Sequence, residues 1–361
     1  MSIAIIFGGK SCEHDVSVVT GVQLLNAVKK LNPFPIYIDR EGVWRTGREL
    51  FDVSAVKKSQ RLKRIYPHPG DNGVYNARGK RITTLDVAVL CCHGAGGEDG
   101  CLQGLLELCG VPYTGSGVLE SALCMNKAEF KRVAKAEGFP TAPYTVFTRK
   151  EFNENIYAVA DRLNSIGYPF IIKPSNLGSS IGIGVARTEA ELVEVTRDAF
   201  AFDNTVVAEK LLTSFRELNC AALGDERGVT ISEVEEPIGW KEFLSFEDKY
   251  AGGGKELSRR RLPAEIPDDV AEKVRALTEK AFRAFSLSGV VRIDYMLTAN
   301  GELYLNEINT LPGSMASYFF RRLGMRETDL VEKLADVALY RHKQKARLTY
   351  SYTSPVLGSK G

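Results

Sequence analysis

Near the end of the chain two short stretches, "GVVRIDYML" and "ELYLNEINT", alternate apolar and polar residues on either side of Asn300-Gly301. Period-two alternation around a dipeptide that tolerates positive φ predicts a β-hairpin. With Asn300 and Gly301 as the loop, paired positions sum to 601, so Asp294 faces Glu307 and Arg292 faces Asn309. All four then share one face of the hairpin. Like charges opposed across strands destabilise a sheet. Two carboxylates and a carboxamide are a donor set for a hard cation such as Mg²⁺, which takes oxygen ligands and shares them with substrate phosphates. The plainer alternative is a solvated polar face on which Arg292 neutralises Asp294. A three-residue loop would move the pairing by one and separate the carboxylates.

Upstream, the pattern alternates strand and helix. "SIAIIF", a helical run from Asp15 to Leu31, "FPIYI", "DVAVLCC" and the helical "GCLQGLLELCG" give a βαβ order, which implies a parallel sheet. Helices follow over 117–125 and 126–137, then the strand "APYTVF", a helix over 149–165, and "YPFIIKPSNLGSSIGIGVA", two strands around a Gly/Ser-rich loop. A helix over 188–200 precedes the strands "TVVAEKLL" and "ELNCAALG", and "DKYAGGGKELSRRR" reads as a loop. "PDDVAEKVRALTEKAFRAFS" is an amphipathic helix with Pro267 near its first turn, and "TDLVEKLADVALYRHKQKA" is another beyond the hairpin. The fold class is α/β in three lobes, divided at 1–120, 121–214 and 215–361.

At 361 residues the chain is long enough for two or three domains with ample core. With 47 basic against 45 acidic residues the net charge is +2, and the longest cationic run is "SRRR", so nucleic acid is not the expected partner. The start, "MSIAIIFGGKS", is too short in apolar residues for a signal peptide or membrane span, so a cytoplasmic protein is expected. Seven cysteines without CxxC spacing read as reduced, mostly buried thiols. The C-terminal "TYSYTSPVLGSKG" reads as partly disordered.

Other segments carry candidate chemistry. "GSSIGIG" follows a strand and Lys173, and its backbone N–H groups suit phosphate. It is neither a Walker A loop nor a dinucleotide fingerprint, and taken alone it reads better as an ordinary hairpin turn. "HGAGGEDG" ends a buried strand, where open α/β sheets place ligands, although a lone His93 is more commonly a core histidine. Glu13 in "FGGKSCEHDVS" sits where a carboxylate would cap a helix. "VVAEKLL", with Glu217 downstream, offers an adenine a backbone edge and a ribose a carboxylate, and "DKY" could carry Lys249 and Tyr250 over a site as a lid does.

In order and spacing these segments closely resemble the D-alanine–D-alanine ligase family of the ATP-grasp superfamily. "FGGKSCEHDVS", "HGAGGEDG", "MNKAEFK", "KPSNLGSSIG", "DKY", "RIDYML" and "NEINTLPGS" together span nearly the whole chain. The resemblance implies a three-lobed ATP-grasp architecture with an N-terminal βαβ domain. It also implies phosphorylation of one D-alanine by ATP, and attack on the acylphosphate by the amine of a second, forming the peptidoglycan precursor dipeptide.

Residue by residue, it makes Glu13 the holder of the first ammonium, in a triad with Ser179 and Tyr250. Lys127, Lys173 and Lys249 become phosphate contacts, with Ser180 also on the nucleotide side. Glu209, Lys210 and Leu212 edge the adenine, and Glu217 holds the ribose at a spacing one residue longer than usual. Asp294, Glu307 and Asn309 resemble the ligands of two Mg²⁺ ions, with Mn²⁺ as a substitute. Arg292 and the N–H of Gly313 resemble the oxyanion donors, and His93 lies on the substrate side. A homodimer is implied, with no membrane or nucleic-acid partner.

One segment departs from the family pattern. Where the family shows a Ser-Leu pair for the carboxylate of the second amino acid, a gapless alignment puts Tyr318 and Phe319, with Ser317 as a substitute hydroxyl. D-Serine therefore stands as an alternative acceptor. D-Lactate is disfavoured because Tyr250 is retained, whereas depsipeptide-forming relatives typically lose it. A non-catalytic nucleotide-binding relative is the alternative of another class, and the retained lysines, Arg292 and metal ligands argue against it.

Overall fold

A computed structural model describes residues 1–238 and 260–351. Expectations for the 248–261 loop up to residue 259, and for the tail beyond 351, lie outside the described residues.

In the first lobe β1 (Ile3–Gly8) pairs in parallel with β2 (Phe34–Ile38) and β7 (Val87–Leu90), with α1 (His14–Ala27) as the first crossover. Ile3, Ile5 and Phe7 enter one core and Ala4 and Ile6 another. A strand buried on both faces explains why "SIAIIF" is continuously apolar. Antiparallel β3 (Trp44–Thr46), β4 (Lys63–His68), β5 (Asp71–Asn76) and β6 (Arg81–Thr84) extend this sheet to seven strands, and α2 (Cys101–Leu108) follows β7. None of β3 to β6 was expected: they are short and rich in Lys, Arg and Asn, with too few apolar positions to show alternation.

The second lobe begins with α3 (Val118–Met125) and α4 (Lys127–Ala136), separated by Asn126, whose side chain accepts from the Glu129 N–H and caps α4. Its antiparallel sheet runs β10 (Gly184–Ala186), β9 (Phe170–Pro174), β11 (Thr205–Lys210), β8 (Tyr144–Thr148). Helices α5 (Arg149–Glu154), α6 (Ile156–Asn164) and α7 (Glu189–Ala199) accompany it. The single helix expected over 149–165 is broken at Asn155, which leaves helical geometry and caps α6.

In the third lobe β14 (Arg260–Arg261), β13 (Gly228–Pro237), β12 (Phe215–Asp225), β15 (Gly289–Thr298) and β16 (Leu303–Asn309) form an antiparallel sheet under α8 (Asp268–Ala284). The chain ends through α9 (Ser317–Arg321) and α10 (Glu327–Lys345). Phe319, Phe320, Leu330 and Leu334 share a core with Ile5, Phe7 and Val18, so the last helices lock the third lobe onto the first.

The hairpin reaches the expected pairing by another route. Thr298 N donates to Glu302 O at 2.9 Å and Gly301 N to Thr298 O at 3.0 Å, leaving a three-residue loop with Gly301 at φ +84. A turn followed by a left-handed glycine is the usual three-residue solution. Tyr295 therefore faces Leu305, one position off the expected sum. A bulge at Asn306 then restores Asp294 opposite Glu307 and Arg292 opposite Asn309. Across the sheet, Glu235, Asn219, Asp294 and Glu307 follow one another as register partners on β13, β12, β15 and β16.

Candidate active site

Asp294 is the most enclosed of the hairpin's four facing polar residues, 3% exposed. Arg292 donates to it from Nε and Nη2, both at 2.7 Å, and Asn309 Nδ2 donates to its Oδ2 at 3.0 Å. With its amide turned to satisfy both ends, Asn219 donates to Asp294 Oδ1 at 3.1 Å. Burial pushes the Asp294 carboxyl up; Arg292 opposes this, and Glu307 and Glu235 add to it. Arg292 thus neutralises Asp294, as in the plainer reading, but Glu307 remains opposed to it. Lys127 Nζ stands 4.0 Å from Glu307 Oε2 and donates to Leu177 O at 2.7 Å. Among the described residues no three His, Cys, Asp or Glu side chains cluster as a metal site. The hairpin's oxygen donors are two carboxylates and Asn309, a set that suits Mg²⁺ completed by phosphate oxygens.

Glu13 precedes α1, yet its side chain makes no capping bond, so helix capping does not explain it. It is 6% exposed and accepts a hydrogen bond at Oε1 from Ser179 Oγ, which arrives from the second lobe. Glu13 Oε2 is buried with no partner among the described residues. Ser179 and Ser180 have φ +52 and +58, so in the Gly-rich loop the serines take the left-handed turn that brings Ser179 to Glu13. Gly94 (φ +72) lies so close that a Cβ there would fall 2.5 Å from Glu13 Oε2. Burial pushes the Glu13 carboxyl above its ordinary 4.5 and Glu98 adds to this, against Ser179, His93 and Lys127. His93 is buried, with Nδ1 3.4 Å from Glu98 Oε1 and Nε2 3.2 Å from Thr20 Oγ1. Burial opposes its charge, but Glu98 and Glu13 override that and raise its pKa. Glu13, His93 and Glu98, with Lys127, Ser179, Arg292, Glu307, Asn309 and Gly313, line one cavity of about 190 Å³. A larger one, about 780 Å³, opens between the start of α3, the end of α8 and α10, and holds none of these groups.

Beside this cleft Lys173 on β9 and Glu209 on β11 stand on neighbouring strands, with Lys173 Nζ 3.0 Å from Glu209 Oε1. Lys131 of α4 approaches Glu209 Oε2, also at 3.0 Å. Burial would raise the Glu209 carboxyl, but the two ammoniums override it and hold it at about 2. Lys210 Nζ donates to Gly167 O (2.8 Å) and Tyr168 O (2.7 Å), fixing the end of β11. Leu212 is half-buried just beyond that strand, and Glu217, half-buried on β12, is close enough to Arg292 for its charge to count.

A family model described as "D-ala D-ala ligase C-terminus" matches residues 133–336, and one described as "D-ala D-ala ligase N-terminus" matches residues 2–116. The chain is 34% identical to the D-alanine–D-alanine ligase of Thermosipho melanesiensis over 352 residues, covering 96% of this chain and 95% of that one. This chain belongs to the D-alanine–D-alanine ligase family. The ligase of Bacillus cytotoxicus is likewise 34% identical, over 97% of this chain and 99% of its own. The structure of the Coxiella burnetii ligase superposes with a TM-score of 0.81 at 26% identity, covering 96% and 97% of the two chains. That of the VanG D-Ala:D-Ser ligase of Enterococcus faecalis gives 0.79 at 27%, covering 93% and 99%.

Against this ligase framework one segment corrects the expectation. Ser314, Met315 and Ala316 are all left-handed (φ +50, +52 and +47) and turn the chain back directly after Gly313. Phe319 consequently points into the core shared with the first lobe, and Ser317 lines a separate cavity with Thr20, Gln23 and Glu327, so neither faces the cleft. Tyr318 donates its hydroxyl to Glu235 Oε2 at 2.9 Å and carries the Arg260 guanidinium on its ring at 3.9 Å. Lys249 and Tyr250 lie outside the described residues. Lys131, Glu98, Glu235 and Arg260 were missed by sequence reasoning. Lys131 follows Lys127 by one helical turn, a spacing that could have flagged it; Glu98 lies inside "HGAGGEDG" and Arg260 inside "SRRR", where neither was given a role, and Glu235 lies in no quoted segment.

Proposed function

We propose that this chain is an ATP-dependent D-alanine–D-alanine ligase, making the dipeptide precursor of peptidoglycan in the cytoplasm through a D-alanyl phosphate. The observation that carries the reading is the convergence of Glu13, Ser179, Arg292 and Glu307, from three lobes, on one cleft. Glu13 Oε2, without a partner among the described residues, accepts from the ammonium of the first D-alanine, which orients its carboxylate toward the nucleotide. Lys127 and Lys173 would neutralise phosphate, and the end of β11 and Glu217 receive adenine and ribose. Mg²⁺ held by Asp294, Glu307 and Asn309 would supply charge neutralisation of the phosphate oxygens. Phosphoryl transfer to the first carboxylate is then followed by attack of the second D-alanine's amine on the acyl carbon. Arg292, fixed by Asp294, and the N–H of Gly313 donate to the oxyanion that develops. Phosphate leaves as that intermediate collapses.

D-Serine is the second reading, because the segment after Gly313 departs from the family's Ser-Leu pair. Both readings meet in one assay, ADP release and dipeptide formation with D-alanine alone and with D-alanine plus D-serine at several pH values. The expected result is D-alanyl-D-alanine as the main product. A predominant mixed product at every pH would move the assignment to D-serine. ADP release independent of any D-amino acid would remove the ligase activity.

A further inference from the structure

Lys131 closes the segment "MNKAEFK" and was assigned no role there, yet it is one of the largest fully buried side chains among the described residues, 1% exposed. Its Nζ and that of Lys173 lie 3.0 Å from opposite oxygens of Glu209. One lysine would neutralise this carboxylate. The second is unfavourable on its own terms, since burial and the charge of Lys173 both depress the Lys131 pKa. Two ammoniums against one carboxylate leave this cluster one positive charge in surplus, as a site awaiting an anion would be. The lysines also differ in freedom: the Lys173 side chain is 10% exposed, whereas that of Lys131 is 1% exposed and enclosed. Glu209 Oε1, the oxygen on the Lys173 side, is buried without an aligned hydrogen bond among the described residues.

We propose that Lys131 is a positioning residue that keeps Glu209 permanently compensated, so that Lys173 can leave the carboxylate for a nucleotide phosphate. This rests on the ATP reading above. Removing one partner from a buried ion pair strands the other charge, which is strongly unfavourable. If Lys173 were the sole partner, its move toward phosphate would incur that penalty and weaken ATP binding. With Lys131 in place the carboxylate stays ionised, and the Oε1 that Lys173 vacates accepts from the exocyclic amino group of adenine. A 6-oxopurine offers an acceptor there instead and is repelled.

The test uses the full-length enzyme with saturating D-alanine, measuring KM for ATP and ITP and the melting temperature of wild type, K131M, E209Q and K131M/E209Q. K131M is expected to raise KM for ATP about tenfold with a smaller effect on kcat, because Lys173 stays on Glu209. In the E209Q background, where no carboxylate needs holding, K131M should change KM less than about twofold. E209Q should also narrow the preference for ATP over ITP. Folded K131M with a wild-type KM for ATP would overturn the proposal, leaving Lys131 a purely stabilising charge. A further tenfold rise on adding K131M to E209Q would also overturn it, by placing Lys131 on the nucleotide itself. Should K131M alone not fold, the E209Q pair decides. Absence of ADP release from wild type removes the ATP reading and this proposal together, whereas normal wild-type turnover with an unaltered K131M removes only the role of Lys131.

Discussion

Replacing Glu307 by Gln removes one charge at nearly constant volume, which separates its chemical from its structural role. The opposed Asp294 is 3% exposed, and Glu307 is one of the groups that push its carboxyl up. Neutralising Glu307 therefore relieves repulsion across the hairpin. Glu307→Gln should lower kcat by about 10²-fold or more, as expected for loss of an anionic ligand beside a transferring phosphoryl group, while the melting temperature stays level or rises. Turnover and thermal unfolding measured on the same preparation check this. Wild-type turnover in the variant would return the hairpin to a polar sheet face neutralised by Arg292.

Among the elements, the segment from Gly313 to Arg321 holds most of what the sequence concealed. Tyr318 was expected to receive the second substrate's carboxylate, but its hydroxyl is committed to Glu235, which is 2% exposed and also lies 3.4 Å from Arg260. Tyr318→Phe should therefore destabilise the fold by about 2 kcal/mol, the ordinary worth of a hydrogen bond to a charged group, and move KM for the second amino acid less than about twofold. A tenfold rise in that KM would instead place the phenol on the substrate. The segment was illegible because three successive left-handed residues, none of them glycine, decide its direction, and L residues adopt that conformation only under tertiary constraint. The hairpin shows the opposite case. Its alternation and its Asn-Gly were enough to place Asp294 across from Glu307, although the three-residue loop and the bulge at Asn306 cancel and neither could be read alone. Strands β3 to β6 were lost because exposed Lys, Arg and Asn carry no period, while β1, β7 and β9, buried on both faces, announced themselves as apolar runs.

At the scale of the whole molecule, the charge on Glu13 is set by groups from two lobes at once. Glu98 and His93 face it from the first lobe, and Ser179 and Lys127 from the second. Holding an ammonium requires the ionised carboxylate, and burial, reinforced by Glu98, raises its pKa above the ordinary 4.5. Affinity for the first D-alanine is thus full above that raised value and is lost as pH falls through it. The acid limb of a KM-against-pH profile should lie above the usual carboxylate range. Glu98→Gln removes a raising influence and should move the limb to lower pH. Ser179→Ala removes the hydrogen bond that favours the carboxylate and should move it to higher pH, whatever it does to KM at the plateau. The stability sign is the reverse: a carboxyl raised in the folded state favours folding while protonated, and that contribution disappears as pH rises through the same value. If Glu13 joins the lobes around the substrate, acid should weaken D-alanine binding while this residue's own share of stability improves. An acid limb unmoved by either substitution would dissociate Glu13 from the ammonium and leave its contact with Ser179 as a lobe-to-lobe fastening.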